Sequence, residues 1–238
     1  MLAVANLICY ITLLYFSQYS AIMLSQMHFI SYTELMAENT LQKIHQIATQ
    51  EFLEKGFRGA SLREIVKKAG VTTGAFYGYY KSKEELFSAL VKEPANYVSN
   101  YFKGLVDQFM QLPKEEWAEK MAGYSKEGFV GIYEYAWNHK DSFRLILNAS
   151  EGTEFENFIH NIVQIEIEIT HIFYKEMEAQ GYKPYAFDPT LEHTIISGEF
   201  SALFELIVHD IPFDKGRQCA QELHAFYEAG WQQVLKLN

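Results

Sequence analysis

The stretch Ser61-Leu-Arg-Glu-Ile-Val-Lys-Lys-Ala-Gly70-Val-Thr-Thr-Gly-Ala-Phe-Tyr-Gly-Tyr-Tyr80 decides the fold. Ser61 followed three residues later by Glu64 has the form of a capping box, in which side chains satisfy the unpaired N–H groups of a helix start. Ile65, Val66 and Ala69 continue the apolar register, and Gly70 stops the helix. A left-handed residue is common at that position, and glycine adopts it without cost. Thr72 is a good N-cap for a further short helix holding Thr73–Tyr80. Ile65, Val66, Ala69, Val71, Phe76 and Tyr80 are spaced to fill the gap between two crossed helices. Two short helices around a glycine turn are the layout of a helix-turn-helix.

Upstream, Leu41, Ile44, Ile47 or Ala48, Phe52 and Leu53 recur at steps of three and four, a preceding helix that Gly56 closes. Downstream, Ser82 to Glu85 repeats the capping box and opens a fourth helix. Charge separates the segments. The chain carries −10 overall, yet residues 36–92 hold nine Lys/Arg against six Glu, a local +3. A basic module on an acidic body is expected when only one part of a protein meets phosphate. The layout and the charge together point to a DNA-binding domain over residues 36–85.

Over residues 40–90 the sequence resembles the TetR family of bacterial transcriptional regulators. The resemblance is carried by Ala48 and Phe52-Leu-Glu-Lys-Gly-Phe57, by Ser61-Leu-Arg-Glu-Ile65 and Ala69-Gly-Val-Thr72, and by Gly74-Ala-Phe-Tyr77 and Tyr80-Lys-Ser-Lys-Glu-Glu-Leu86. It implies an all-α protein: a three-helix N-terminal helix-turn-helix domain and a C-terminal helical domain, residues 86–238, for ligand binding and dimerisation. It also implies a homodimeric repressor, cytoplasmic and nucleoid-associated, released from a pseudo-palindromic operator by a small organic molecule. An activator and a membrane-tethered regulator are the alternatives.

In a helix-turn-helix the second helix enters the major groove, N-terminal end foremost. Thr72, Thr73 and Gly74 occupy that end. Threonine hydroxyls bond base edges or phosphates, and Gly74 permits close backbone approach. The resemblance places Tyr77 and Tyr79 on the DNA side, and matches Lys83 to the family's phosphate-binding lysine. It departs from the family at Tyr79, often His there, and at Gly78, often a longer polar residue. Arg63 reads either as a backbone or base-edge contact or as a solvated surface charge.

Beyond residue 92 the spacing predicts helices near 82–111, 114–138, 140–148, 153–180, 189–209 and 214–236. The strand-like run Ile165-Glu-Ile-Glu-Ile169 lies inside a longer helical stripe. Leu191, Ile195, Ile196, Phe200, Leu203, Phe204 and Ile207, then Cys219, Leu223, Phe226, Trp231 and Leu235, form broad apolar faces on the last two helices. Small residues Ser197, Gly198, Ser201 and Ala202 would let helices approach closely. This pair resembles the family's four-helix dimer interface; the alternative is ordinary core within one subunit. A ligand pocket then falls among the middle helices, whose aromatic side chains suit an organic molecule. Its expected walls are Trp117, Tyr133, Trp137, Phe158, Glu166 and Tyr174. Glu166 sits within the apolar stripe beside Ile162 and Ile169, and a buried carboxylate needs a partner. That partner is either a cationic ligand or a His, Tyr or Lys of the same subunit.

Nothing points to an enzyme. Glu168-Ile-Thr-His171 matches half of a di-iron bundle motif, but one copy is too few and spacing turns it off the apolar stripe. HExxH, GxSxG and a phosphate loop are missing from the sequence, and Cys9 and Cys219 fit no metal spacing, so no cofactor or metal is expected. Residues 1–35 carry one charge, Glu34, and Leu2–Leu24 is long enough to cross a bilayer. Three readings of this segment stay open: sequence upstream of a natural start at Met27 or Met36, a helix packed on the body or a partner, or a membrane anchor over residues 2–24. Membrane association is accordingly left open.

Overall fold

The computed structural model describes residues 38–179, 181 and 188–235, and every regular element among them is helical. The stretch 1–35 lies outside the described residues. Helix α1 spans 38–59, α2 Leu62–Ala69, α3 Thr73–Tyr79 and α4 Lys83–Met110. After a single 3-10 turn at Lys114–Glu116 come α5 (Trp117–Asn138), α6 (Lys140–Ala149), α7 (Phe158–Ala179), α8 (Pro189–Val208) and α9 (Phe213–Leu235). None of the described helices is long and apolar enough to cross a membrane.

The turn between α2 and α3 follows from its sequence. Gly70 takes φ +68°, its N–H bonds the carbonyl of Lys67, and the Val71 N–H reaches back to Val66. That pair of bonds is the Schellman arrangement, which satisfies carbonyls a helix end leaves unpaired. Thr72 then caps α3: its Oγ1 accepts from the Ala75 N–H at 3.1 Å and its carbonyl from the Phe76 N–H at 3.0 Å. Gly56 is also left-handed, φ +68°, but one more turn follows it, held by the Ala60 N–H to the Gly56 carbonyl. At the start of α4, Ser82 Oγ accepts from the Glu85 N–H, while Glu85 Oε2 accepts from the Lys81 N–H at 2.7 Å.

Two compact units result. One holds the described residues through Ile47 together with Arg63–Tyr79; the other holds Ala48–Leu62 and the chain from Tyr80 onward. The division lies within α1, between Ile47 and Ala48. An aromatic cluster ties the second half of α1 into the larger unit. Phe52, in the second half of α1, meets Phe87 of α4 edge-on at 5.0 Å, Phe57 lies 5.3 Å from Phe87, and Phe155 adds to the cluster. Burying three or four phenyl rings outweighs continuity of the helix as a determinant of what packs with what.

In the larger unit, α5 lies against α4 and α9, α7 against α8, and α6 against α4 and α8. Phe143, Phe158 and Phe204 form a core triangle with ring centroids 5.7–5.9 Å apart. The Ile165–Ile169 alternation is helical, in the middle of α7. Helix α7 starts at Phe158, not 153. Gly152 is left-handed, and Thr153 Oγ1 donates to the Ser150 carbonyl while accepting from the Phe155 N–H. These local bonds offer the backbone an alternative to the helix.

Candidate nucleic-acid interface and inner cavity

In the smaller unit, Ile65, Val66, Ala69 and Phe76 are buried, Phe76 completely. Anchoring α3 by one inward ring leaves its remaining face outside. Thr72, Thr73, Gly74, Ala75, Tyr77 and Gly78 are exposed, Tyr77 by 53%, and Tyr79 is half-buried. The Thr72 hydroxyl accepts from Ala75, and its own proton remains to be donated outward. A Cβ placed on Gly74 or Gly78 would meet nothing within 4 Å. Packing within the chain therefore does not demand glycine at either position. The described residues of this unit carry Lys43, Arg63, Lys67 and Lys68 against Glu38 and Glu64, and Arg63 is exposed on α2.

Lys83, expected at a phosphate, makes contacts within the chain. Its ammonium donates to the carbonyls of Phe57 at 2.7 Å and Ala60 at 3.1 Å, with Arg58 O at 3.4 Å, and stands 4.5 Å over the Phe57 ring. A lysine has three N–H donors. Here they face carbonyls left over at the end of α1, where a cation also offsets the negative end of the helix dipole. Glu51, fully buried in α1, supports the same corner by accepting from Lys55 Nζ at 2.5 Å and from the Ser61 N–H at 3.4 Å.

The larger unit encloses a cavity of about 120 Å³ between the C-terminal half of α4 and helices α5, α7 and α8. Phe102, Phe109, Tyr124, Phe129, Phe173 and Phe200 supply its aromatic wall, and Glu166 and Glu199 its two carboxylates. Of the six side chains expected as pocket walls, only Glu166 lines it. Trp117 is buried, stacked on Phe173, with Nε1–H donating to the Leu112 carbonyl. The Tyr133 hydroxyl donates to Phe213 O and packs on Gly216, and Trp137 Nε1–H donates to Ile211 O. Phe158 belongs to the core triangle. Burial pushes the Tyr174 hydroxyl above its ordinary range, with the charges of Glu192 and Glu166 adding to the effect. Burial pushes Glu166 up to about 8, with the charge of Glu199 reinforcing it and a hydrogen bond to Thr170 opposing. Glu199 rises to about 7, chiefly from burial, against a hydrogen bond from Trp231. Sequence reasoning missed Glu199, although it lies between Ile196 and Leu203 at the same three- and four-residue steps that drew attention to Glu166.

On α8 and α9 the expected apolar faces divide. Ile196, Phe200, Leu203, Phe204 and Ile207 are buried within the subunit, and Ile195, Cys219, Leu223 and Trp231 are half-buried. Leu191 stays 50% exposed and Phe226 72% exposed, with Ser201, Ala225, Ala229 and Gly230 also outside. The side chain of Leu235 lies outside the described residues.

Comparison with known proteins agrees with this geometry. Residues 44–90 match the family described as "Bacterial regulatory proteins, tetR family". The chain is 28% identical over 134 residues to the uncharacterized HTH-type transcriptional regulator YerO of Bacillus subtilis, a match covering 56% of this chain and 40% of that protein. It is 43% identical over 58 residues to the HTH-type transcriptional regulator AcrR of Shigella flexneri, covering 24% of this chain and 27% of the relative. The matched segments thus span between about a quarter and two fifths of these relatives' length, and both relatives are described as HTH-type transcriptional regulators. Among solved structures, a TetR-family regulator from Streptomyces coelicolor A3 superposes with a TM-score of 0.51 at 16% identity, covering 77% of this chain and 88% of that one. GusR of Salmonella enterica gives 0.50 at 16%, covering 83% and 96%. These likenesses establish the all-α fold. With the Gly70 turn and the capped α3, residues 44–90 form a DNA-binding domain similar to that of the TetR family of bacterial regulatory proteins.

Proposed function

We propose that this chain is a sequence-specific, DNA-binding transcriptional repressor that acts as a homodimer and leaves its operator when a small organic molecule binds. The observation that carries the reading is the exposed N-terminal end of α3. Thr72, Thr73 and Gly74 stand in solvent while Phe76 holds the helix from behind. Thr72 and Thr73 contact base edges or phosphates, Gly74 admits the backbone to the groove, and Tyr77 and Tyr79 bond phosphates. Arg63 adds a contact from α2. Lys83 acts at one remove, as a positioning residue that fixes the end of α1.

One module with so few charges binds weakly, and pairing is the remedy. The exposed Leu191 and Phe226, beside small residues on α8 and α9, form the dimer contact. Two α3 helices then read half-sites about 34–36 Å apart, or a multiple of that, on a pseudo-palindrome. A ligand in the inner cavity releases DNA only by favouring a conformation whose reading helices are misplaced, because equal affinity for both states shifts nothing. The protein works in the cytoplasm, at the nucleoid.

The test is selection of duplexes from a random pool, followed by fluorescence anisotropy of the enriched sequence against a scrambled one. The proposal predicts an enriched inverted repeat, bound with steep salt dependence and weakened on the order of tenfold by Thr73→Ala or Tyr77→Ala. Equal affinity for all duplexes would overturn it.

A further inference from the structure

The inner cavity places two carboxylates against an apolar, aromatic wall. None of the described residues lining it is basic. The lining from α4 is apolar throughout, and α5 contributes Tyr124 and Ser125. From α9, Trp231 hydrogen-bonds Glu199, and the charge of Glu199 helps to raise the Tyr227 hydroxyl. His224 of the same helix lies 3.0 Å from Ser125 Oγ, but burial holds its imidazole below the ordinary value, towards the neutral form. From α7 and α8 come Thr170, Tyr174 and Glu192, the last with His171 Nε2 at 2.9 Å from its carboxylate. Of the same-subunit partners expected for Glu166, neither a Lys nor a His is among the described residues lining the cavity; Tyr174 interacts with it, Thr170 hydrogen-bonds it, and a second acid, Glu199, shares the cavity.

Two acids facing one another in an apolar space have two ways to avoid unpaired negative charge. They hold protons, or they hold a cation. Protons serve the empty cavity. Either arrangement makes a poor site for an anion, and a neutral guest would leave any ionised carboxylate uncompensated. Aromatic faces attract a desolvated cation through their quadrupoles, by about 0.5–2 kcal/mol each. A volume of 120 Å³ accommodates on the order of ten water molecules, hence an organic group of comparable size.

We propose that this cavity binds an organic monocation, of the quaternary ammonium or similar soft type, held between Glu166 and Glu199 against the rings of Phe109, Phe173 and Tyr124. The cation displaces one of the two protons that the pair retains when empty; that proton leaves to solvent and the other stays on the pair. The inference deepens the ligand-responsive reading and rests on it for its regulatory meaning, not for the binding itself.

The test uses the full chain with benzyltrimethylammonium and its uncharged isostere neopentylbenzene, read by thermal shift, with calorimetry of the cation in buffers of different ionisation enthalpy. The cation is expected to raise Tm, and to bind at least about tenfold more tightly than the isostere. Its affinity should rise from pH 6 to pH 9, with protons released on binding near pH 7. Glu166→Gln and Glu199→Gln should each weaken it about tenfold or more and flatten the pH profile. Equal affinity for the isostere, pH-independent binding, no binding of the cation, or unchanged binding by both glutamine variants would each overturn the proposal. The isostere comparison uses the unaltered protein and so does not depend on the variants folding. Anisotropy on operator DNA in the same samples separates the two readings. Cation binding that leaves DNA affinity unchanged supports the cation site and refutes release. Release by other molecules, with no cation binding, does the reverse.

Discussion

Replacing Lys83 with alanine separates two roles that a sequence comparison merges. In the structure the ammonium donates to Phe57 O and Ala60 O and lies over the Phe57 ring. Hydrogen bonds from a charged donor are worth about 1.5–3 kcal/mol, and an exposed cation–π contact about 0.5–1 kcal/mol. Lys83 is half-buried, so water recovers part of this when the side chain is removed. A net loss of about 2 kcal/mol follows, lowering Tm by roughly 4–8 °C for a chain of this size. The assays are thermal denaturation and the salt dependence of operator binding. A phosphate contact would show as a slope of log K against log[salt] smaller by about one, with stability intact. The clamp reading predicts the opposite: a lower Tm and an unchanged slope. Unchanged Tm with a reduced slope would refute it.

Gly74→Ala should keep or slightly raise Tm, since alanine favours a helix by about 0.5–1 kcal/mol and its Cβ meets nothing, yet operator affinity should fall on the order of tenfold. Gly70→Ala should cost about 1–2 kcal/mol, because φ is +68° while the nearest atom, Lys43 Nζ, is an ordinary 3.8 Å away; denaturation would read strain rather than crowding. Glu166→Gln should be more stable than the parent at pH 8.5 and not at pH 4. The folded-state value, about 8, lies above the unfolded one, so the stability difference grows as pH rises from about 4.5 to 8. Phe226→Asp should shift a dimer towards monomer in analytical ultracentrifugation without lowering helix content, since its ring is mostly in solvent in the single subunit.

What could be read in the sequence was local. The Gly70 turn, the Thr72 cap and the inward Phe76 depend on neighbours within five residues, and the structure has them all. The position of Lys83 could not be read so, because its acceptors lie 23–26 residues away and belong to a helix end that Gly56 shapes. The aromatic residues of α5 misled for a related reason. Tyr133 and Trp137 have polar tips that suit a pocket, but those tips donate to carbonyls of the α8–α9 connection and the start of α9, more than 70 residues on. Phe155 continues the apolar stripe of α7, yet Gly152 and the Thr153 hydroxyl turn the chain there. Glu199 was open to the spacing argument that found Glu166. Only folding shows that the two acids share one cavity.

Hydroxyl-radical footprinting of the protein on its selected duplex tests most directly whether two exposed α3 helices read one operator. Two protected patches on the same face, about one helical turn or a whole multiple of it apart, are predicted, and Phe226→Asp should weaken both together. A single protected patch, or faint protection spread evenly along the duplex, would contradict the account.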